Sequence, residues 1–351
     1  MRWLQNAFLV IVTVSLAIGL IIIDNPPPRS GIILNEEKTE SLLPEDNLAI
    51  FDYIFEYGEA EPPAIETEEG NGEAEKPSGS LAVNTNGTAL GKISEQFLSP
   101  YSAKYSYNNV YMKNSSGIDI NLADELAAKL KFTIKKSGEP EVLIMHTHAT
   151  ESYMNEVRDY YTAADSSRTT DNDKNVTHIG EIIANKLIAA GIGVVHDKTQ
   201  HDHPAYTGSY SRSEVTVNEY LKKYPSIKIV LDIHRDSISL NETDRVRPVA
   251  EINGKRAAQV MLCMGSQSGA VKNHPNWREN FRLALRLQQT LEVMYPGLAR
   301  PIVLASKLYN QNLTTGSLLI EMGTESNTLS EAEYSAELTA NALISLLNTL
   351  R

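Results

Sequence analysis

The sequence predicts an α/β protein: a central, mostly parallel or mixed sheet with helices on both faces, preceded by one N-terminal transmembrane helix and a disordered linker. Three observations lead there. From about residue 96 onward, short apolar runs alternate with amphipathic helical stretches. Those runs are near-continuously apolar, as in strands covered on both faces. And an uncharged apolar stretch at the N-terminus is followed by an acidic segment rich in Pro, Gly and Ser.

The chain has 351 residues, 42% hydrophobic and 22% charged. That is the composition of an ordinary globular protein with room for a sizeable core, not of a collagen-like, wholly disordered or multi-span chain. Its one cysteine, Cys263, excludes an intramolecular disulfide framework and any multi-cysteine metal site.

Taken in order, residues 3–23 carry no charge and would span about 30 Å as a helix, enough to cross a bilayer. Arg2 precedes the stretch and Asp24 follows it, which predicts a cytoplasmic N-terminus and an extracytoplasmic remainder. The small-residue pair Ser15 and Ala17 falls inside the apolar run, a poor place for signal cleavage, so residues 1–24 are read as a single-pass anchor in the cell membrane. Residues 25–95 are read as a tether. They open with Pro26, Pro27 and Pro28, which stop a helix, and are too polar to offset their ordering entropy. Residues 24–76 hold fifteen Asp/Glu against three Lys/Arg, which accounts for the whole formal charge of −12. The remainder is near neutral and has no basic patch, so nucleic-acid binding is not expected. Within the tether, residues 48–55 are apolar enough for a short docking helix or for a transient one.

The folded domain is placed at 96–351. Helical spacing marks 119–130, 176–190 (ended by Gly191), 213–223 (ended by Tyr224 and Pro225), 278–295 and 330–350. Strands are expected at 141–145, 193–196, 227–233 and 316–321, with further ones at 250–252 and 258–264.

The candidate chemistry stands at strand ends, where open α/β sheets bind ligands. The run EVLIM leads into His146-Thr-His148-Ala-Thr-Glu151, and KIVLDI leads into His234-Arg235-Asp236. His146 and His148 share a face if the extended conformation continues. Two histidines and a carboxylate are the donor set of a catalytic zinc site, and no cysteine competes. A third strand runs into Glu321, whose candidate roles are general base on an attacking water or structural partner of Arg235. A loop with two His-Asp pairs, His196-Asp197 and His201-Asp202, is a candidate for supporting contacts, a second metal site or a polar loop. Tyr206 and Tyr210 follow it, in a composition that suits a sugar or peptide groove.

The strings MHTHATESY at 145–153, HDKTQHDHPAYTGSYSRS at 196–213, LDIHRDS at 231–237 and LLIEMGTESN at 318–327 resemble the stage II sporulation protein P family. The likeness runs over about 110–350, and the anchor and acidic linker match the family's layout. The resemblance implies a Zn2+-dependent peptidoglycan hydrolase similar in fold to the N-acetylmuramoyl-L-alanine amidases. It implies amidase and endopeptidase activity during forespore engulfment, alongside stage II sporulation proteins D and M. It also implies site roles: His148, by its distance from the strand start, and His234 as zinc ligands, and Glu321 as the catalytic glutamate. The third ligand is Glu151 or Glu181, with His178 nearby and Glu151 preferred. The amidases' Asp-Pro-Gly-His string is absent here, which leaves His146 and His148 to be separated. His196 and Arg235 are further candidates for orienting a ligand or steadying an oxyanion. A non-catalytic wall-binding or scaffold protein, and an anchored zinc hydrolase acting on proteins, are the alternative readings.

Overall fold

Apolar runs bounded by turn residues form most of the strands, and the computed structural model describes residues 87–350. The anchor at 3–23, the apolar patch at 48–55 and the tether up to residue 86 lie outside the described residues. Among the described residues no helix is long and apolar enough to cross a membrane.

The strands are β1 (Ala89–Gln96), β2 (Tyr105–Tyr107), β3 (Val110–Asn114), β4 (Val142–Met145), β5 (Tyr160–Thr162), β6 (Val194–His196), β7 (Ile229–Asp236), β8 (Arg245–Ile252), β9 (Lys255–Ala258), β10 (Val260–Gly265), β11 (Ile302–Ala305) and β12 (Ser317–Thr324). The helices are α1 (Leu122–Ala127), α2 (Val176–Ala189), α3 (Ser209–Lys223), α4 (Trp277–Met294) and α5 (Leu329–Asn348). The main sheet has eight strands in the order β2-β3-β11-β10-β12-β7-β4-β6. It is mixed, as expected: β6, β4, β7 and β12 are parallel, and β10 runs antiparallel to β12.

Two features depart from the sequence reading. A second sheet, β5-β1-β8-β9, stands beside the first, and β1 occupies part of the stretch assigned to the tether. It is partly polar and alternates weakly, so its strand character comes from pairing with β5 and β8 and not from local pattern. The helices are also unequally shared between the faces of the main sheet. Val142, Ile144, Leu231, Ile233, Leu318, Ile320 and Leu262 point to the face packed by α2, α4 and α5, through residues such as Ile183, Phe281 and Leu343. The alternate residues point the other way. There, only α3 covers Leu143, Met145 and Val230. Met261, Cys263, Val303 and Leu319 form a separate small cluster with Tyr309. Between these two patches the same period-two alternation presents Asp232, His234 and Glu321. An apolar helix laid over those groups would desolvate them without partners, which costs too much for the face to be closed there.

Candidate active site

His234 is the fixed point. It lies in β7, and parallel pairing with β12 sets Glu321 directly beside it. Asp232, two residues earlier on the same face, approaches His234 Nε2 with Oδ1 at 2.8 Å. The approach is out of line, so Nε2 makes no hydrogen bond. Asp232 is itself held by Thr147, whose N–H donates to Oδ1 at 2.8 Å and whose hydroxyl donates to Oδ2 at 2.7 Å. Burial pushes Asp232 up, but His234 and Thr147 together bring it down to about 2. Burial opposes a charged imidazole at His234, yet Asp232, with Glu151 and Glu321 beyond it, raises it to about 10. The pocket therefore favours a cation at this position.

The chain beyond β4 does not stay extended. It turns at His148, whose carbonyl accepts from Glu151 N–H at 3.1 Å. His146 and His148 consequently do not share a face, contrary to the extended reading. His148 enters the site: its ring stands perpendicular to that of His234 with centroids 5.2 Å apart. It stacks on Tyr206 at 4.5 Å, and Arg168 covers the Tyr206 ring at 4.7 Å. Ser209 Oγ lies 3.3 Å from His148 Nδ1. Burial, then His234 and Arg168, holds His148 well below its ordinary range, so the ring is neutral and keeps a lone pair.

The same turn carries in Glu151. Its Oε2 accepts from the Arg235 backbone N–H at 3.0 Å and lies 3.6 Å from His234 Nδ1. Glu181, the other candidate third ligand, is instead a surface residue of α2 paired with Lys198 Nζ at 2.6 Å. His178 pairs with Glu333 at 2.9 Å.

His146 is fully buried behind the site. Its Nδ1 donates to Ile233 O at 2.9 Å, so its Nε2 accepts from His196 Nε2, also at 2.9 Å. Burial, followed by the neighbouring cations, lowers the two rings to about 3 and about 4. Gly180 of α2 makes room for them: a Cβ there would sit 2.7 Å from the His146 ring. His201 donates to His146 O at 2.8 Å and meets Thr216 Oγ1 at 2.9 Å, so this loop braces the turn. Arg235 is committed too. Its guanidinium donates to Ser152 O at 3.3 Å and Ser167 O at 2.7 Å. Its backbone N–H holds Glu151 Oε2, and its guanidinium is taken up by main-chain carbonyls.

Glu321 is partly exposed, and its Oε2 makes no hydrogen bond. Burial, then Asp236, pushes its carboxyl well above the ordinary carboxylate range, against the pull of His234. It is not paired with Arg235.

No group of three His, Cys, Asp or Glu side chains among the described residues is drawn together as a metal centre. The donor chemistry nevertheless fits zinc. His148 is neutral, and Asp232 backs the far nitrogen of His234. The 3.6 Å between His234 Nδ1 and Glu151 Oε2 is too long for a hydrogen bond. It is close to the spacing of about 3.4 Å expected for two ligands about 2.1 Å from one tetrahedral ion. Asp232 and Arg300 are neighbours of these groups that the sequence reading did not single out, whereas it placed Tyr206 in a candidate groove. Period-two spacing before His234 is the signal that would have found Asp232.

A sequence profile of stage II sporulation protein P matches residues 59–344. The chain belongs to the stage II sporulation protein P family. The family's matched span contains His148, Glu151, His234 and Glu321. Stage II sporulation protein P of Bacillus subtilis (strain 168) is 31% identical over 211 residues, covering 57% of this chain and 49% of that protein. The chain thus spans about half the length of that curated relative. Solved structures similar to it include the N-acetylmuramoyl-L-alanine amidase AmiC2 of Nostoc punctiforme, at 13% identity, 62% of this chain, 97% of that chain and a TM-score of 0.35. The CwlD amidase of Clostridioides difficile, in complex with the GerS lipoprotein, matches at 13% identity, 60% and 98% coverage and a TM-score of 0.36.

The geometry separates the histidines experimentally. His148→Ala is expected to abolish zinc binding and, by removing a buried ring stacked on Tyr206, to lower the melting temperature of the metal-free protein as well. His146→Ala is expected to cost about 1–3 kcal/mol by stranding the Ile233 carbonyl and His196, while zinc still binds. Glu181→Gln should leave zinc content unchanged and stability within about 0.5 kcal/mol, as for an exposed pair. Zinc content by atomic emission and thermal melts of the three variants decide it. The opposite pattern for the two histidines overturns the assignment.

Proposed function

We propose that this chain is a membrane-anchored, zinc-dependent peptidoglycan hydrolase of sporulation, cleaving the bond between muramic acid and the stem peptide and peptide cross-links as well. The observation that carries this reading is the strand register that sets Glu321 beside His234, with Glu151 and His148 converging from the turn after β4. Family membership supports the sporulation role. Stage II sporulation proteins D and M, a cell-membrane location through residues 3–23, and an extracytoplasmic hydrolase domain belong to the same proposal.

His148, His234 and Glu151 would hold the zinc. A zinc ion there supplies Lewis-acid polarisation of the scissile carbonyl and acidifies water at neutral pH. The chain's own residues do the rest. Asp232 sets a negative charge 2.8 Å from the far nitrogen of His234. The Arg235 backbone N–H holds Glu151 Oε2, and Tyr206 fixes the plane of His148. Glu321, with its unpartnered oxygen and elevated proton affinity, takes the proton of the attacking water and returns one to the leaving amine.

The test uses purified full-length chain, isolated peptidoglycan and casein, with and without chelator. Zinc at about one per chain, chelator-sensitive release of stem peptides and no release from casein are expected. Retention on peptidoglycan with no bound zinc and no release would favour a scaffold instead.

A further inference from the structure

Arg300 crosses the sheet face that carries Glu321. It stands just before β11, where its N–H donates to Val260 O at 2.7 Å. The next residue of β10, Met261, pairs with Glu321 of β12. Yet Arg300 Nη1 lies 2.9 Å from Oδ2 of Asp236, at the end of β7 on the far side of β12. The side chain therefore spans β10 and β12, from the level of Glu321 to that of Thr324, the partner of Asp236.

Arg300 is 2% exposed. None of Nε, Nη1 and Nη2 makes a hydrogen bond, because Asp236 Oδ2 approaches out of line and is itself unbonded. A buried guanidinium without acceptors is costly to maintain, since its lost hydration is not replaced. The other arginines around the site are satisfied. Arg235 donates to Ser152 and Ser167 carbonyls, and Arg168 donates to Asp202 at 2.6 Å. Asp236 and Glu321 are partly exposed, so the way from solvent to Arg300 runs past these two residues. Lys113 of β3, opposite Val303 of β11, adds a second positive charge at the rim. The wall on the His148 side is different in kind, formed by Tyr206, Tyr210 and Tyr309.

We propose that Arg300 binds a carboxylate of the substrate's peptide moiety, and so determines that an anionic peptide occupies the β11 side of the site. The proposal rests on the hydrolase reading above. A planar guanidinium offers a carboxylate two parallel donors. Asp236 steadies the Nη1 side and leaves Nε and Nη2 for the ligand. Without Arg300, an anion here would face the carboxylates of Asp236 and Glu321 uncompensated by its buried charge, so the guanidinium decides whether it is admitted.

The experiment compares a soluble muramoyl peptide bearing free carboxylates with the same peptide converted to carboxamides, using the full-length chain. Wild type should favour the free carboxylates at least about tenfold in kcat/KM, the discrimination of one charge-assisted hydrogen bond. Arg300→Gln should bring that ratio to about one, chiefly through KM, and Arg300→Lys should restore part of it. Lys255→Gln, an exposed change on β9, should keep the ratio. Equal rates in wild type, a ratio that survives Arg300→Gln, or a ratio lost in Lys255→Gln overturns the proposal. Should neither Arg300 variant fold, the wild-type ratio and the calorimetric preference of wild type for the free carboxylates decide. Calorimetric binding of the two peptides reads carboxylate recognition without turnover, so failure of hydrolysis altogether counts against the hydrolase reading and not against this one.

Discussion

Glu321→Gln is expected to lower hydrolysis about 10²- to 10⁴-fold, the usual worth of a positioned general acid–base group, while fold and zinc content stay at wild-type levels. The amide matches the carboxyl in size but takes no proton. Glu321 makes no hydrogen bond through Oε2 and pairs with no arginine, so the substitution strands no partner. Stem-peptide release from peptidoglycan, with zinc measured on the same preparation, checks this. Near wild-type release would remove Glu321 from the mechanism, and loss of zinc would make it a ligand instead.

His234→Ala is expected to remove both zinc and hydrolysis, and also to destabilise the metal-free protein by about 3–5 kcal/mol, the cost of breaking a buried ion pair from one side. Asp232 would remain buried with only Thr147 and no counter-charge. For a domain of this size that is roughly a 10 °C fall in melting temperature. The pH dependence has a definite sign. Asp232 is held down at about 2, so its contribution is present above its unfolded value of about 4 and is lost as pH falls toward 2. His234 is held up at about 10, so its contribution is complete below about 6.5 and is lost as pH rises toward 10. The gap in melting temperature between chelated wild type and variant should therefore be widest between about pH 4 and 6.5. A gap that widens instead toward pH 9 would contradict the Asp232–His234 pairing.

Much of the site was legible because strand ends are written locally. Apolar runs marked β4, β7 and β12, and each ran directly into a histidine or glutamate. Helix ends were readable for α2, α4 and α5, whereas α1 is confined to Leu122–Ala127 and α3 begins four residues earlier than expected, at Ser209. Asn175 caps α2 by accepting from Thr177 N–H at 2.8 Å, and Thr328 with Glu331 forms a capping box on α5. β1, β2, β3, β5, β9 and β11 were not marked, β1 because its residues alternate weakly.

What the sequence determined by itself is therefore the alternation of strands and helices, the strand-end location of the candidate chemistry, and the donor types available there. What only the tertiary structure decided is which of them meet. His148 rather than His146 faces His234 because the chain turns after β4 and Ile233 O captures the His146 ring. Glu151 rather than Glu181 lies beside them because the Arg235 backbone holds it across 84 positions of sequence. Arg300 reaches the site only through a strand order that no local pattern encodes. Local pattern reports how a residue is buried within its own element. Convergence of side chains from separate elements is set by register and crossover, which are fixed when the whole core packs.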